Sequence, residues 1–339
     1  MNAPSQPVEL NIAMLEALSR VTSGSRGPLS PLAPHEYSFE VDEPIRRLVD
    51  QGFLNLSGEP RDWFLPLLET LLNPTRVIEL DASTGQDNSL AIFLREDSPV
   101  VTLRQLEDQR LQLAAPDQPD ECLQVLRSLP TPAEAAFSAN LNLSESRLLA
   151  ALIDIQRQTA LVSAIRGRQQ TAEISPVQSR VSSLQRALKD SQANLLSLAW
   201  SASACLNSLL SASAESVPSL ERDLQSLATT RLISFDRGEY RLDPLVASWA
   251  NHLLLPQAGL SLTLRQQNLE GKVQIESLIT LLSPDTHFTI MARGGGVVSF
   301  NPLNPSALPE ISTRLLRGEG SLYDLTGLGN LLTDVAVFF

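Results

Sequence analysis

The sequence contains few of the residues from which most catalytic and metal sites are built. Its 339 residues include three histidines and two cysteines, and lysine occurs only at Lys189 and Lys272. The histidines show no HxxxH or HExxH spacing, so we expect no metal site. Cys122 and Cys205 lack CxxC partners and fit buried thiols in a reducing compartment. With no GxSxG or GxxxxGK[ST] motif either, we predict a protein that is not an enzyme and uses no cofactor.

A signal sequence and a long apolar run are also missing. The start, MNAPSQPVEL, has neither a basic region nor an apolar segment, so we expect no secretion signal. No uninterrupted apolar run approaches the roughly 20 residues that a membrane-spanning helix needs. The net charge is −12, and an acidic chain is poorly suited to holding nucleic-acid phosphates. These features predict a folded cytoplasmic protein without a membrane partner, and they argue against tight nucleic-acid binding.

One stretch of the chain occurs twice in degenerate form. Pro44–Ala82 and Asp223–Leu264 both contain a short helix, a turn with glycine, a helix with proline, a tryptophan and then a strand. Strand patterns follow in both copies, and their short connections favour antiparallel meanders. The predicted strands are Arg76–Ala82, Ser89–Arg95, Val100–Leu106, Arg110–Ala115, Leu260–Gln266, Ile275–Leu282, Phe288–Arg293 and Val297–Phe300.

The predicted fold class is α+β, with two quasi-equivalent halves. Each half would hold winged-helix-like helices, a four-strand antiparallel sheet and a covering helix, and a helical segment would join the halves. The expected ranges are 1–139 for the first repeat, 140–216 for the helical segment, 217–319 for the second repeat and 320–339 for an apolar tail. The tail would pack on its own core, or add as a strand to a partner.

Helical spacing of apolar residues predicts the helices. Val8–Val21 lies at the start of the first repeat. Leu143–Arg166 opens the helical segment, and Val177–Leu210 forms one or two more helices there. Pro119–Leu129 and Ala307–Arg317 would cover the two sheets. Trp63 and Trp249 are expected in the cores. Remaining helices are predicted at Glu43–Gln51, Asp62–Leu72, Ser219–Thr230 and Pro244–Leu254.

Arg46–Ala82, followed by Ser89–Leu106, resembles the EspG family of type VII (ESX) secretion chaperones. The shared pattern is a helix with Leu-x-x-x-Gly, a polar turn, a hydrophobic helix, a proline and a strand, and then a strand pair of alternating polarity. The Arg-Pro that is usual in the family is Asn73-Pro74 here. The resemblance is best over Arg46–Pro130 and looser over Asp223–Arg317. It implies an α+β, non-enzymatic, cytosolic chaperone that binds the helical tip of a secreted partner protein.

Two hairpin tips and one tryptophan are the candidate contact residues, although each tip also fits an ordinary β-turn. They are Glu96, Asp97 and Ser98 in the first tip, Arg293, Gly294, Gly295 and Gly296 in the second, and Trp200 in a Ser/Ala-rich helix.

Two other classes of function stay open at this point. A winged-helix regulator would gather Arg46, Arg47, Arg222 and Arg231 on one exposed face for DNA. An enzyme would need a deep pocket with convergent acids such as Asp81 and Asp87. The sequence leaves the partner's identity and the oligomeric state open, a dimer included.

Overall fold

The computed structural model describes residues 7–22, 25–32, 42–83, 87–106, 110–123, 137–166, 176, 178–180, 184, 201–209, 220–254, 258–268, 270–283, 287–293, 296–301 and 308–326. The chain forms two compact units from discontinuous segments. The first unit comprises 1–128, 262–275 and 306–324, and the second comprises 129–261, 276–305 and 325–339.

Runs of helices and runs of strands follow one another along the chain in an α+β arrangement, as predicted. The helices are α1 (Ile12–Val21), α2 (Asp42–Asp50), α3 (Leu65–Leu72), α4 (Leu143–Ile165), α5 (Ala202–Leu209), α6 (Leu220–Thr229), α7 (Pro244–His252) and α8 (Leu308–Leu316). The strands are β1 (Val8–Asn11), β2 (Arg76–Ser83), β3 (Asp87–Leu94), β4 (Val101–Gln105), β5 (Arg110–Ala114), β6 (Ala139–Asn142), β7 (Gln178–Arg180), β8 (Ile233–Asp236), β9 (Glu239–Leu242), β10 (Ala258–Gln267), β11 (Val273–Leu282), β12 (His287–Arg293) and β13 (Val297–Asn301). Short 3₁₀ helices occur at Pro119–Leu123 and Leu322–Thr326.

The strand order of both predicted meanders is present, but the first sheet extends beyond its four predicted strands, with β1 beside β5 and β10 beside β2. In the first unit the strand order is β1-β5-β4-β3-β2-β10, and β2 to β5 pair antiparallel with their chain neighbours. In the second unit the order β11-β12-β13-β6 is antiparallel throughout, and β7-β9-β8 forms a separate small sheet. β10 and β11 contribute residues to both units.

Two predicted helices are corrected in part. Val8–Val21 begins as β1, because Leu10 pairs with Leu111 of β5 and the helix starts only after Asn11. The Asn11 Oδ1 accepts a hydrogen bond from the Met14 N–H at 2.8 Å, and this N-cap determines the start of α1. Within Val177–Leu210, residues Gln178–Arg180 are strand β7 and Ala202–Leu209 is helix α5.

The first unit buries both faces of its sheet. Phe53, Phe64 and Leu71 pack with Val77 and Phe93 on one face, and Trp63 joins them at a ring distance of 5.5 Å from Phe53. On the other face Ile78 and Ile92, which are cross-strand partners, are both fully buried. The apolar run Leu-Ala-Ile-Phe-Leu in β3 is the sequence signal for a strand covered on two faces.

The core of the second unit is built around α4. Asn142 and Glu145 form a capping box at its start, and its buried leucines, such as Leu148, Leu149 and Leu152, share a cluster with Trp249 of α7. Among the described residues α4 is long and apolar enough to cross a membrane by length and composition. It packs against α5, α6 and α7 and buries Asp154 and Arg157, so it is the central helix of this core.

The two predicted copies begin with the same backbone motif. After α2 the N–H of Gly52 donates to Val49 and that of Phe53 to Leu48. After α6 the N–H groups of Arg231 and Leu232 donate to Ala228 and Leu227 in the same pattern. Gly52 and Arg231 both have a positive φ, 78° and 62°, as this C-terminal motif requires. Equivalence of the complete halves stays a prediction.

Candidate functional site

A buried carboxylate organises the helices of the second unit. Asp154 of α4 is 4% exposed, and its two oxygens accept hydrogen bonds from the N–H groups of Ala202 and Ser203 at 2.8 and 2.9 Å. It therefore caps α5, where a negative charge is favourable. Arg157 lies 3.4 Å from the same carboxylate. Burial lowers the pKa of Arg157, and the Asp154 carboxylate opposes that change.

Cys205 of α5 lies in the same region and is an inert thiol. It is 4% exposed, and burial, with the nearby Asp154 carboxylate, raises its pKa to about 12. Burial also raises the pKa of Cys122. Reactive cysteines have a lowered pKa and open access, so neither thiol has the character of a nucleophile.

A buried arginine binds the end of α8 in the first unit. Arg76 of β2 is 3% exposed, and its Nη1 donates to the Glu319 carbonyl at 2.9 Å. Its Nη2 donates to the Gly320 carbonyl and to Gln266 Oε1, the latter at 2.9 Å. These acceptors are backbone carbonyls and one side-chain amide, so the contact joins β2 to the segment that follows α8.

The described residues contain no cluster of metal-binding side chains. Within the ranges given above, no group of three or more His, Cys, Asp and Glu side chains could hold a metal ion. Asp81 is exposed on β2, while the side chain of Asp87 lies outside the description. A polar cavity of about 440 Å³ lies on the small β7-β9-β8 sheet, where Asp236 and Glu239 are exposed beside arginines.

The first predicted tip, Glu96–Ser98, is a tight turn held against α3. Arg95 Nη1 donates to the Glu69 carbonyl at 3.1 Å and lies 3.5 Å from the Glu69 carboxylate. Thr70 Oγ1 donates to the Pro99 carbonyl at 3.1 Å, so both ends of the turn are attached to the same helix. Asp97 has a positive φ of 55°, as turn residues can, and it is exposed at the tip.

An exposed leucine lies on the same helix face. Leu65 is 42% exposed, and Glu69 follows it one helical turn later. We call Leu65, Glu69 and the turn Arg95–Pro99 the α3–turn surface. It carries Glu69, Glu96 and Asp97 against the single cation of Arg95, so it is acidic and has one large apolar side chain at its border.

The other predicted contact residues are described only in part. Arg293 ends strand β12, with a side chain outside the description, and Gly296 is exposed with a φ of 78°. Gly294, Gly295 and Trp200 lie outside the described residues, as does 327–339 of the predicted tail. Trp63 and Trp249 pack in the cores of their units, as expected.

The arginines that a DNA reader would need are accompanied by acids. Arg46 and Arg47 are exposed on α2 of the first unit, and Arg47 is ion-paired with Glu43 at 2.6 Å. Arg222 and Arg231 belong to the second unit, where the hairpin that would serve as a wing carries exposed Asp236 and Glu239. Neither unit therefore presents a cationic face on these elements.

Sequence reasoning missed the most exposed large apolar side chain of the described residues. Leu56 is 97% exposed in the turn between Leu54 and Pro60. Asn55 Oδ1 accepts from the N–H groups of Ser57 and Glu59 at 3.0 and 2.9 Å, and this bonding orders the turn. The Asn-x-Ser-Gly sequence signals such a turn, but which side chain it exposes depends on the packing of Leu54.

No protein-family model and no curated protein matches the chain. Among solved structures, it is similar to the Mycobacterium tuberculosis type VII secretion system chaperone EspG5, which was determined in complex with a PE25–PPE41 dimer. The two are 10% identical, with a TM-score of 0.41 over 91% of this chain and 95% of that chain. A solved EspG structure is thus similar to this chain, as the run Arg46–Ala82 led us to expect.

Proposed function

We propose that this protein is a non-enzymatic, cytoplasmic chaperone or adaptor of the EspG kind. It binds a partner protein by covering an apolar, helical surface of that partner, and releases it intact. Secretion through a type VII system is the process that the sequence resemblance implies for the partner. The winged-helix regulator is the alternative, and the arginine environments described above do not favour it.

The observation that carries the proposal is the α3–turn surface. Its turn is attached at Arg95 and Pro99 to Glu69 and Thr70, so little conformational entropy is lost when it binds. Leu65 offers an apolar contact at the border, and the acidic turn suits a partner with basic residues beside its apolar face. Such a surface is suited to the recognition of a partner protein.

The chemistry of the buried polar groups also supports a binding protein. Asp154 caps a helix, Arg76 binds carbonyls and Cys205 is protonated, so these groups are engaged in structure. Perturbed groups at catalytic sites lie instead in clefts that a substrate can enter.

The test is an affinity capture from the native cytoplasm with the full chain as bait. We expect one protein at near-equal stoichiometry, with amphipathic helices that carry basic residues. Leu65→Glu and Glu96→Lys should each weaken its binding about tenfold or more, since both alter the α3–turn surface. Binding affinity is measured with the purified partner by calorimetry.

Glu270→Lys is the matched control, because Glu270 is an exposed glutamate in another turn of the first unit. It changes net charge as Glu96→Lys does and should leave affinity within about twofold. An equal loss of affinity in Glu96→Lys and Glu270→Lys would contradict the assignment of the α3–turn surface as the binding site. Capture of nucleic acid that salt releases, in place of a protein, would overturn the proposed function.

A further inference from the structure

A strand of three residues covers the edge of the small sheet in the second unit. β7 pairs antiparallel with β9, with Gln178 opposite Arg241, Ser179 opposite Tyr240 and Arg180 opposite Glu239. β8 occupies the other side of β9. The outer edge of β9 is therefore a strand-acceptor site that the chain itself occupies.

The hairpin turn determines which backbone groups face β7. Arg237 and Gly238 have φ values of 48° and 77°, the signature of a two-residue turn that closes on Asp236 and Glu239. The Asp243 N–H donates to the Leu232 carbonyl at 2.9 Å. The backbone N–H and C=O groups of the odd-numbered residues of β9 therefore face β8. The backbone N–H and C=O groups of Tyr240 consequently face β7. Its partner Ser179 is the residue of β7 whose backbone N–H and C=O groups face β9.

The side chains along this edge alternate in a way that defines a complementary strand. Tyr240 is 2% exposed and faces the core, while Glu239 and Arg241 are exposed. The register position opposite the buried Tyr240 suits an apolar residue, and the sequence has Ser179 at that position. An acid opposite Arg241 and a base opposite Glu239 would pair with these charges. In register, Arg180 lies opposite Glu239 and the neutral Gln178 lies opposite Arg241, while the Gln178 Nε2 donates to the Glu239 carboxylate at 3.4 Å.

We propose that β7 is an exchangeable, self-inhibiting strand, and that the β9 edge is a docking site for an extended segment of a partner protein with the pattern acid–apolar–base. The match of β7 to the edge is incomplete at Gln178 and Ser179, so a better-matched strand displaces it. A segment longer than β7 also reaches the backbone of Leu242, which faces the same side. This exchange does not depend on the chaperone role, because it uses a different set of residues.

The test uses a proline that removes the hydrogen bond of β7. Ser179→Pro deletes the N–H that faces Tyr240, whereas Gln178→Pro, the matched control, deletes an N–H that faces away from β9. The probe is a fluorescent peptide of residues 175–182 that carries Q178E and S179V. By fluorescence anisotropy we expect Ser179→Pro to bind it about tenfold or more tightly than the unaltered chain, and Gln178→Pro to bind it as the unaltered chain does.

A second variant opens the edge without proline. Arg180→Glu places an acid opposite Glu239 and should raise affinity for the same peptide. The double variant Arg180→Glu/Arg241→Glu should bind this peptide more weakly than Arg180→Glu does. A peptide with Q178K in place of Q178E should bind the double variant with the affinity restored. Equal affinity of the unaltered, Ser179→Pro and Arg180→Glu chains would overturn the proposal, as would binding that Arg241→Glu leaves unchanged.

Discussion

Gly52 and Arg231 hold the same place at the ends of α2 and α6, but only one of them is suited to it. A positive φ costs a residue with a side chain about 1 kcal/mol relative to glycine. We expect Arg231→Gly to raise the free energy of unfolding by about 0.5–1 kcal/mol and Gly52→Ala to lower it by about 1 kcal/mol or more. An added Cβ at Gly52 meets no atom closer than 3.8 Å, so the backbone is the cause. Urea unfolding gives both values.

The decisive result is that Arg231→Gly and Gly52→Ala change the free energy of unfolding in opposite directions. A stabilising effect of Gly52→Ala would mean that the left-handed conformation after α2 is not required. Thr230→Gly, one residue before Arg231, is the control, and it should destabilise because it loosens the helix end without relieving a positive φ.

Cys205 and Tyr240 predict a loss of stability at alkaline pH. Burial raises the pKa of Cys205 from 9.0 to about 12 and that of Tyr240 from 10.0 to about 12. Above pH 9 the unfolded chain releases protons that the folded chain keeps, so stability is complete below that pH and falls as pH rises toward 12. The slope is about 1.4 kcal/mol per pH unit for each group. The variant Cys205→Ala/Tyr240→Phe should show a flatter fall in urea unfolding between pH 9 and 11, and an unchanged slope would contradict the assignment.

At the scale of elements, the contact between Arg76 and the end of α8 has the clearest consequence. Arg76→Ala removes the donors to the carbonyls of Glu319 and Gly320 and should destabilise the first unit by about 2–3 kcal/mol. The freed segment contains Arg317, a trypsin site. We therefore expect limited trypsin digestion to cut after Arg317 at least several-fold faster in Arg76→Ala than in the unaltered chain.

Arg76→Lys should give only part of the protection, because a single ammonium cannot reproduce the two-nitrogen contact of the guanidinium. Arg95→Ala is the control in the same unit, since its partners lie on α3. Faster cutting after Arg317 in both Arg76→Ala and Arg95→Ala would point to general unfolding of the unit. No change in Arg76→Ala would show that other contacts hold this segment.

At the scale of the whole molecule, net charge distinguishes the proposed chaperone from the DNA-binding winged-helix alternative. The chain carries a net charge of −12, and some exposed arginines of the described residues, such as Arg47 and Arg110, are ion-paired with acids. We expect duplex DNA to bind more weakly than about 100 µM even at about 50 mM salt, because few phosphates could be neutralised. A mobility-shift titration measures this. Micromolar binding that weakens steeply with salt would favour the winged-helix alternative.

The sequence predicted where the Glu96–Ser98 turn lies along the chain, but not which element it contacts. The polar run Glu96–Ser98 between two strand patterns identified a hairpin tip, because turn chemistry is local. Its attachment to α3 through Arg95 and Thr70 joins residues 26 and 29 positions apart, and periodicity carries no information on such pairs. Leu56 and the strand β7 were missed for the same reason, since exposure and edge pairing depend on distant segments.

The sequence by itself determined most of the elements and the class of the fold. Hydrophobic periodicity, caps and turn residues act over a few residues, so the meanders β2 to β5 and β10 to β13 and the α+β class were predictable. The tertiary structure decided the partition of the chain. Residues 262–275 and 306–324, which follow the second copy in order, belong with 1–128 in one compact unit. Burial of apolar faces and of Arg76 favours that arrangement, and burial is a property of the packed chain that no local stretch contains.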